Sequence, residues 1–185
     1  MRRFLLLTII LLSATLAEAQ RTNEAISQQI RSLKAEKSIT LTFDEKGNSS
    51  KIMATAANFG GRDVSKAGLQ AMNFGMAFYY AGSTLQEPPA TINLTFWVMT
   101  NKPKFAAANT WKVKLASETL DLGDARYAAR AGENMEYLNF KIARADLAKI
   151  AAGTNVKFTL GNAEFTFEAS HIELFRKILA ISDTN

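Results

Sequence analysis

The sequence predicts a mainly β, α+β domain: an antiparallel β-sandwich-like fold with two or three peripheral α-helices. Segments in which apolar and polar residues alternate recur along most of the chain, and this period of two is typical of strands with one buried face. Short connections rich in turn residues separate many of these segments, as in antiparallel sheets. Helical spacing appears near both ends of the predicted domain, and a chain of 185 residues is long enough for one hydrophobic core.

The first nineteen residues have the pattern of a secretory signal peptide. Two arginines precede an apolar run at residues 4–12, and Ala17 and Ala19 place small residues at the −3 and −1 positions of a cleavage site. The run is shorter than the roughly 20 residues that a membrane-spanning helix needs. We therefore expect cleavage before Gln20 and a single domain over residues 20–185, located in the periplasm or secreted.

Composition narrows the classes of function. The chain has no cysteine and one histidine, which excludes disulfides, thiolate nucleophiles and metal sites built from several imidazoles. The formal net charge of +5 is mildly basic, but the Lys/Arg clusters of a nucleic-acid-binding protein are missing. Nearly half of the residues are hydrophobic and only three are proline, which argues against a disordered chain.

The N-terminal elements follow from changes of hydrophobic period. Helical spacing predicts a helix over about residues 24–34, and apolar residues that alternate with threonine at 38–43 predict a strand. A polar turn at 44–48 leads to a returning strand at 51–57. The two glycines within residues 60–63 predict a flexible connection after it.

Residues 64–80 fit two periods, because the segment contains both a helical stripe and a strict alternation. The alternation from Met72 to Tyr80 has no break, and Gly75 would be unfavourable inside a helix. We therefore predict a strand for the second half. Residues 92–98 alternate through β-branched and aromatic residues, which predicts a second long strand and a hairpin.

The same alternation continues in the C-terminal half, where hairpin and helix signals also occur. Further strands are predicted at residues 111–115, 120–122, around 127, 135–142, 156–160 and 165–167. Gly153 is placed to end a helix over 146–152, and Gly161-Asn162 is the signal of a two-residue hairpin.

The last helix is predicted over about residues 170–181. Ser170 and Glu173 have the spacing of a capping box ahead of an apolar stripe. The stripe places Phe175 on a face that covers a sheet, whereas Lys177 should point to water.

One group of residues suggests a binding patch. Lys102, Lys104, Lys112 and Lys114 flank Trp111, and a basic and aromatic patch is suited to a sugar, lipid A or an acidic protein surface. The alternative interpretation is the solvated face of a strand whose opposite face holds the tryptophan. The run from residue 72 to residue 80 is open to two interpretations as well, ordinary core or the lining of an apolar ligand cavity.

Few side chains are candidates for catalysis, and we expect no catalytic residue. His171 lies in the first turn of the predicted last helix, where a surface role is expected, and no Gly-x-Ser-x-Gly turn accompanies it. Asp121 and Asp124 enclose a glycine turn without the ligand repeat of a calcium loop. The carboxylates from which a glycosidase pair could come are Glu118, Asp121, Glu133 and Glu136.

These observations favour a non-catalytic binding or accessory domain of the bacterial cell envelope. We expect it to need no cofactor or metal and to engage a protein or an anionic envelope component rather than nucleic acid. Two alternatives stay open: a carrier of apolar ligands or lipids with a cavity between sheet and helix, and a hydrolase that uses only carboxylates.

The leader pattern gives the first prediction. The exported protein should begin at Gln20, because Ala17 and Ala19 fit the small-residue pockets of a signal peptidase site. Mass spectrometry of the protein recovered from the periplasm or the medium measures this terminus, and an intact Met1 there would contradict the prediction.

Overall fold

Antiparallel pairing joins the strands into three sheets in the computed structural model, which describes residues 20–130, 134–154 and 156–183. The strands are β1 (Arg21–Thr22), β2 (Ile39–Asp44), β3 (Ser49–Asn58), β4 (Ala71–Ala81), β5 (Thr84–Leu85), β6 (Thr91–Met99), β7 (Thr110–Lys114), β8 (Thr119–Asp124), β9 (Arg126–Ala129), β10 (Met135–Ala143), β11 (Lys157–Leu160) and β12 (Ala163–Thr166). The helices are α1 (Asn23–Ser32), α2 (Gly61–Lys66), α3 (Arg144–Ala152) and α4 (Ala169–Ser182). The predicted signal peptide and Glu133 lie outside the described residues.

Two sheets make up most of the domain, and the predicted mainly β, α+β class is confirmed. The larger sheet has the strand order β2-β3-β4-β6-β10-β9, the smaller has the order β12-β11-β7-β8, and β1 pairs with β5 separately. The predicted hairpin of two long strands is β4 with β6, whose register places Gly75 opposite Thr95. Thr95 is in turn opposite Asn139 of β10, so one row of side chains crosses the larger sheet.

Aromatic rings fill the space between the two large sheets. The ring of Phe96 on β6 lies 5.4 Å from that of Trp111 on β7 and 5.6 Å from that of Phe158 on β11, measured between centroids. Phe158 also stacks on Phe167 at 4.3 Å. The run from residue 72 to residue 80 contributes its alternate side chains to this core, so the core interpretation of that run holds.

Helix α4 extends the core beyond the smaller sheet. Phe175 is fully buried, with its ring 5.3 Å from Phe74 of β4 and 5.0 Å from Phe167. Arg21 holds the other end of the helix, because its guanidinium Nη1 donates hydrogen bonds to the carbonyl oxygens of Ile181 and Asp183 at 3.2 and 2.6 Å. The N-terminal segment is thereby fastened to the C-terminal helix.

The first difference from the sequence expectation is α2, which occupies the predicted flexible connection at residues 60–63. Val64 is buried against the core, and a carboxylate oxygen of Asp63 accepts a hydrogen bond of 3.0 Å from the backbone N–H of Thr166. These tertiary contacts stabilise a six-residue helix whose own propensity is weak. The described chain therefore has four helices where two or three were predicted.

The second difference is the start of α4 and the place of His171. The capping box uses Glu168 and His171 rather than Ser170 and Glu173: the Glu168 carboxylate accepts from the His171 backbone, and His171 Nδ1 accepts from the Glu168 backbone N–H at 3.1 Å. His171 is 1% exposed, with its ring 4.6 Å from that of Phe59. The prediction of a surface histidine was wrong, because the helix starts one residue earlier and turns the imidazole inward.

Replacement of Phe175 tests whether α4 closes the core. Phe175→Ala should lower the free energy of unfolding by about 3 to 5 kcal/mol, through lost burial and the cavity left behind. Lys177, predicted to point to water, is half-buried, so the matched control is Glu173→Ala, which changes an exposed side chain and should stay within about 0.5 kcal/mol. Denaturant melts measure both, and equal effects would show that α4 is not part of the cooperative core.

Candidate functional site

The structure separates the residues of the predicted basic and aromatic patch. Trp111 is fully buried on the inner face of the smaller sheet, whereas Lys112 and Lys114 are exposed on its outer face. Lys104 donates its ammonium to the carbonyl oxygen of Ala67 at the end of α2, and the exposed Lys102 belongs to the same loop. The tryptophan cannot contribute to a surface patch there, and the solvated-face interpretation describes Lys112 and Lys114.

Two ion pairs form on the outer face of the smaller sheet. Lys112 forms an ion pair of 3.3 Å with Asp121 of β8, and Lys157 forms one of 3.2 Å with Glu164 of β12. The backbone N–H of Gly123, followed by the hydrogen bond from Lys112, lowers the pKa of Asp121. The carboxylates of this face are therefore engaged by its own lysines and turn.

The remaining candidate carboxylates are engaged locally as well. Glu136 is 2% exposed, and its carboxylate accepts hydrogen bonds of 3.0 Å from the backbone N–H groups of Lys104 and Phe105, which fixes the loop before β7. Burial, and then the hydrogen bond and charge of Glu136, raise the pKa of Tyr127. Glu118 forms an ion pair with Lys149. In the described ranges, no three His, Asp or Glu residues come together as metal ligands.

A second surface, on the outer face of the larger sheet, brings aromatic and basic residues together, as the predicted patch does not. It forms a groove of about 710 Å³, which we call the outer-face groove. Its lining comes from β3, β4, β6, β9 and β10. The lining residues are Lys51, Met53, Gly75, Met76, Ala77, Tyr79, Asn93, Thr95, Trp97, Arg126, Ala128, Asn139, Phe140 and Lys141.

The indole of Trp97 forms part of the floor of this groove. A Cβ atom built on Gly75 would overlap the ring atom Cη2 of Trp97 and would lie 3.1 Å from the carbonyl oxygen of Ala54. The indole of β6 therefore lies over the backbone of β4, in space that only glycine leaves open. This close approach accounts for a glycine in the middle of a long strand.

Amide and hydroxyl side chains occupy the centre of the groove. Thr95 donates its hydroxyl to Asn139 Oδ1 at 2.8 Å, and Asn139 Nδ2 donates to the carbonyl oxygen of Arg126 at 3.2 Å. Asn93, two residues before Thr95, is exposed beside them. The hydrogen bonds fix the orientation of Asn139, so this part of the groove is preorganised on rigid strands.

Basic side chains lie on both sides of this polar centre. Lys51 lies on β3, with its ammonium 5.7 Å from the centre of the Tyr79 ring, and Lys141 and Arg126 lie on β10 and β9. The lining contains no carboxylate, and none of the three cations forms an ion pair with a carboxylate in the part of the chain that the structure describes. From β3 to β9 the groove crosses four strand spacings, about 19 Å.

Sequence reasoning found the strands of this groove but not the groove itself. Apart from Met76 and Phe140, whose side chains are buried, its residues are the outward-facing ones of each strand, whereas the predictions used the inward-facing ones to locate the core. A usable signal is present, since the outward residues Asn93, Thr95 and Trp97 carry amide, hydroxyl and aromatic groups in place of the charged residues of an ordinary solvated face.

The fold defines an α+β domain of β-sandwich-like architecture. Comparison with known proteins finds no matching family model, no matching curated protein and no matching solved structure. Over the described ranges, every helix is too short or too polar to cross a bilayer.

The Gly75 contact gives a prediction about the groove floor. Gly75→Ala should displace the Trp97 indole and lower the free energy of unfolding by about 1 to 3 kcal/mol, because the new methyl group occupies the space of the ring. Near-UV circular dichroism and iodide quenching of tryptophan fluorescence report the displacement, since Trp111 is fully buried. The control is Gly61→Ala, whose Cβ meets nothing within 4 Å. Spectra unchanged by Gly75→Ala would contradict the contact.

Proposed function

We propose that this protein is an exported, non-catalytic binding domain of the bacterial cell envelope and that its outer-face groove engages an anionic envelope component. Export is supported by the leader pattern of the first nineteen residues. The mildly basic charge of the chain suits an anionic partner.

One observation carries the proposal: Lys51, Arg126 and Lys141 share a groove that contains no carboxylate. On the outer face of the smaller sheet, in contrast, lysines are paired with Asp121 and Glu164. Cations without opposite charges raise the local positive potential, and a concave surface concentrates it. The domain thus has one sheet face on which Lys112 and Lys157 are paired with carboxylates, and another whose groove of cations without carboxylates suits an anion.

The chemistry of the groove supports binding rather than catalysis. Its lining holds no carboxylate, imidazole or thiol, the groups that most often act as general acids, general bases and nucleophiles. It combines apolar and aromatic area with a few fixed amide and hydroxyl groups, as ligand sites commonly do.

The two alternatives have less support. A carrier of apolar ligands needs space between sheet and helix, but the rings of Phe74, Phe167 and Phe175 lie 5.0 to 5.9 Å apart there. A hydrolase that uses only carboxylates needs two free acidic groups. Glu136 and Glu118 are instead bound to backbone amides and to a lysine.

Paired charge variants test the proposal. The probes are a heparin-derived hexasaccharide, phosphatidylglycerol vesicles and poly-glutamate, and binding is mapped by the amide chemical shifts of the ¹⁵N-labelled protein. At least one probe should shift residues of the groove, and Lys51→Gln/Lys141→Gln should weaken that binding about tenfold. Added salt should weaken it further, because ions screen exposed charges.

The control variant is Lys112→Gln/Lys114→Gln, which removes the same net charge from the outer face of the smaller sheet. It should change the affinity by no more than about twofold. Equal loss in the two variants, or no probe that shifts the groove, would overturn the proposal.

A further inference from the structure

We infer that the ligand of the outer-face groove is an acidic glycan chain, in which sugar rings carry carboxylate or sulfate groups. The inference rests on the proposed function and names the chemical class of its ligand. Three features of the groove support it: flat aromatic surfaces, amide and hydroxyl groups between them, and cations spread over its width.

The aromatic residues offer two separate flat surfaces. The Trp97 indole lies over Gly75, and Tyr79, four residues further along β4, is 56% exposed. Four residues of a strand correspond to about 13 Å. Sugar rings have apolar C–H faces that pack on aromatic rings, and two surfaces at this separation suit a chain of several sugar units better than one ring.

The groups between these surfaces match sugar hydroxyls. Asn93 and Asn139 carry amides that can donate and accept hydrogen bonds, as a hydroxyl group does, and Thr95 supplies a hydroxyl of its own.

The distribution of charge indicates an extended anion. Lys51 is on one flank, and Lys141 and Arg126 are on the other, about three and four strand spacings away. A single phosphate would need donors that converge on one point, whereas these cations can each meet a different acidic group along a chain.

Other anionic partners fit less well. A lipid bilayer is a broad surface and would not reach an indole that lies on the floor of a groove. A poly-acidic peptide supplies the charge, but it has no flat apolar ring face for Trp97 and Tyr79. An acidic glycan satisfies the aromatic, amide and cationic groups together.

Isothermal titration calorimetry tests the inference by measuring the affinity of residues 20–185 for three oligosaccharides. The acidic probes are the heparin-derived hexasaccharide and a hexamer of galacturonate, and the neutral probe is cellohexaose. We expect at least one acidic glycan to bind with a dissociation constant at least about tenfold lower than that of cellohexaose, because charge-assisted hydrogen bonds add to the packing on the aromatic rings.

Aromatic variants distinguish a sugar from any other anion. Trp97→Ala should weaken the binding of the acidic glycan about tenfold, as truncation of a buried aromatic contact commonly does. Tyr79→Ala should weaken it about fivefold and keeps the test independent of folding, because this side chain is largely exposed. The control is Phe43→Ala, which removes another exposed ring, 43% accessible, outside the groove, and should leave the affinity within about twofold.

Each contrary result has a defined meaning. If vesicles or poly-glutamate bind in the groove while both acidic glycans fail to bind, the glycan inference is overturned and the proposed function stands. Equal effects of Tyr79→Ala and Phe43→Ala, or equal affinity for cellohexaose, would also overturn the inference. If no anionic probe shifts the groove, the inference and the proposed function both fail.

Discussion

Ring packing around Phe158 is the interaction on which the rest of the structure depends. This side chain of β11 is stacked within 4.3 to 5.6 Å of Phe96, Phe165 and Phe167, and it also contacts Phe59 and Trp111. No disulfide joins the sheets, because the chain has no cysteine. Buried aromatic area, with the preferred offset and edge contacts of rings, must therefore provide most of the cohesion between them.

The same core determines what the larger sheet presents to solvent. Because successive side chains of a strand alternate between faces, Phe74, Met76 and Phe78 can be buried only if Asn73, Ala77 and Tyr79 point outward. A shift of one residue in the register would exchange the two sets. Packing of the core therefore determines which side chains line the outer-face groove. The strands that carry them are held in register by the same packing.

Alternation made the strands predictable, and tertiary contacts explain what it missed. The strand from Met72 to Tyr80 was identified from its unbroken alternation and from Gly75, which would be unfavourable inside a helix. Helix α2 was missed because it is held by the burial of Val64 and by the hydrogen bond of Asp63 with Thr166, 103 positions away, which no local pattern contains. The burial of His171 depends on a cap at Glu168 instead of Ser170 and on Phe59, which is more than a hundred positions away.

The outer-face groove could not be predicted from the sequence, because it too depends on contacts between distant residues. Its side chains come from five strands, and the order β3-β4-β6-β10-β9 brings them together. The contact of Trp97 with Gly75 joins residues that are 22 positions apart. It requires both the pairing of β4 with β6 and the orientation of the indole toward Gly75. The predicted patch around Trp111 combined the right residue types, but alternation places that tryptophan and its neighbouring lysines on opposite faces of β7.

The bond between Arg21 and α4 has a consequence for the order in which the chain can fold. It joins positions 160 residues apart in sequence, so closing it costs the entropy of a very long loop and must wait until the last helix exists. Helix α1 likewise meets α4 only then. An early-synthesised segment of this chain thus lacks its final partner throughout elongation, which delays completion of the native state until the last helix has been made.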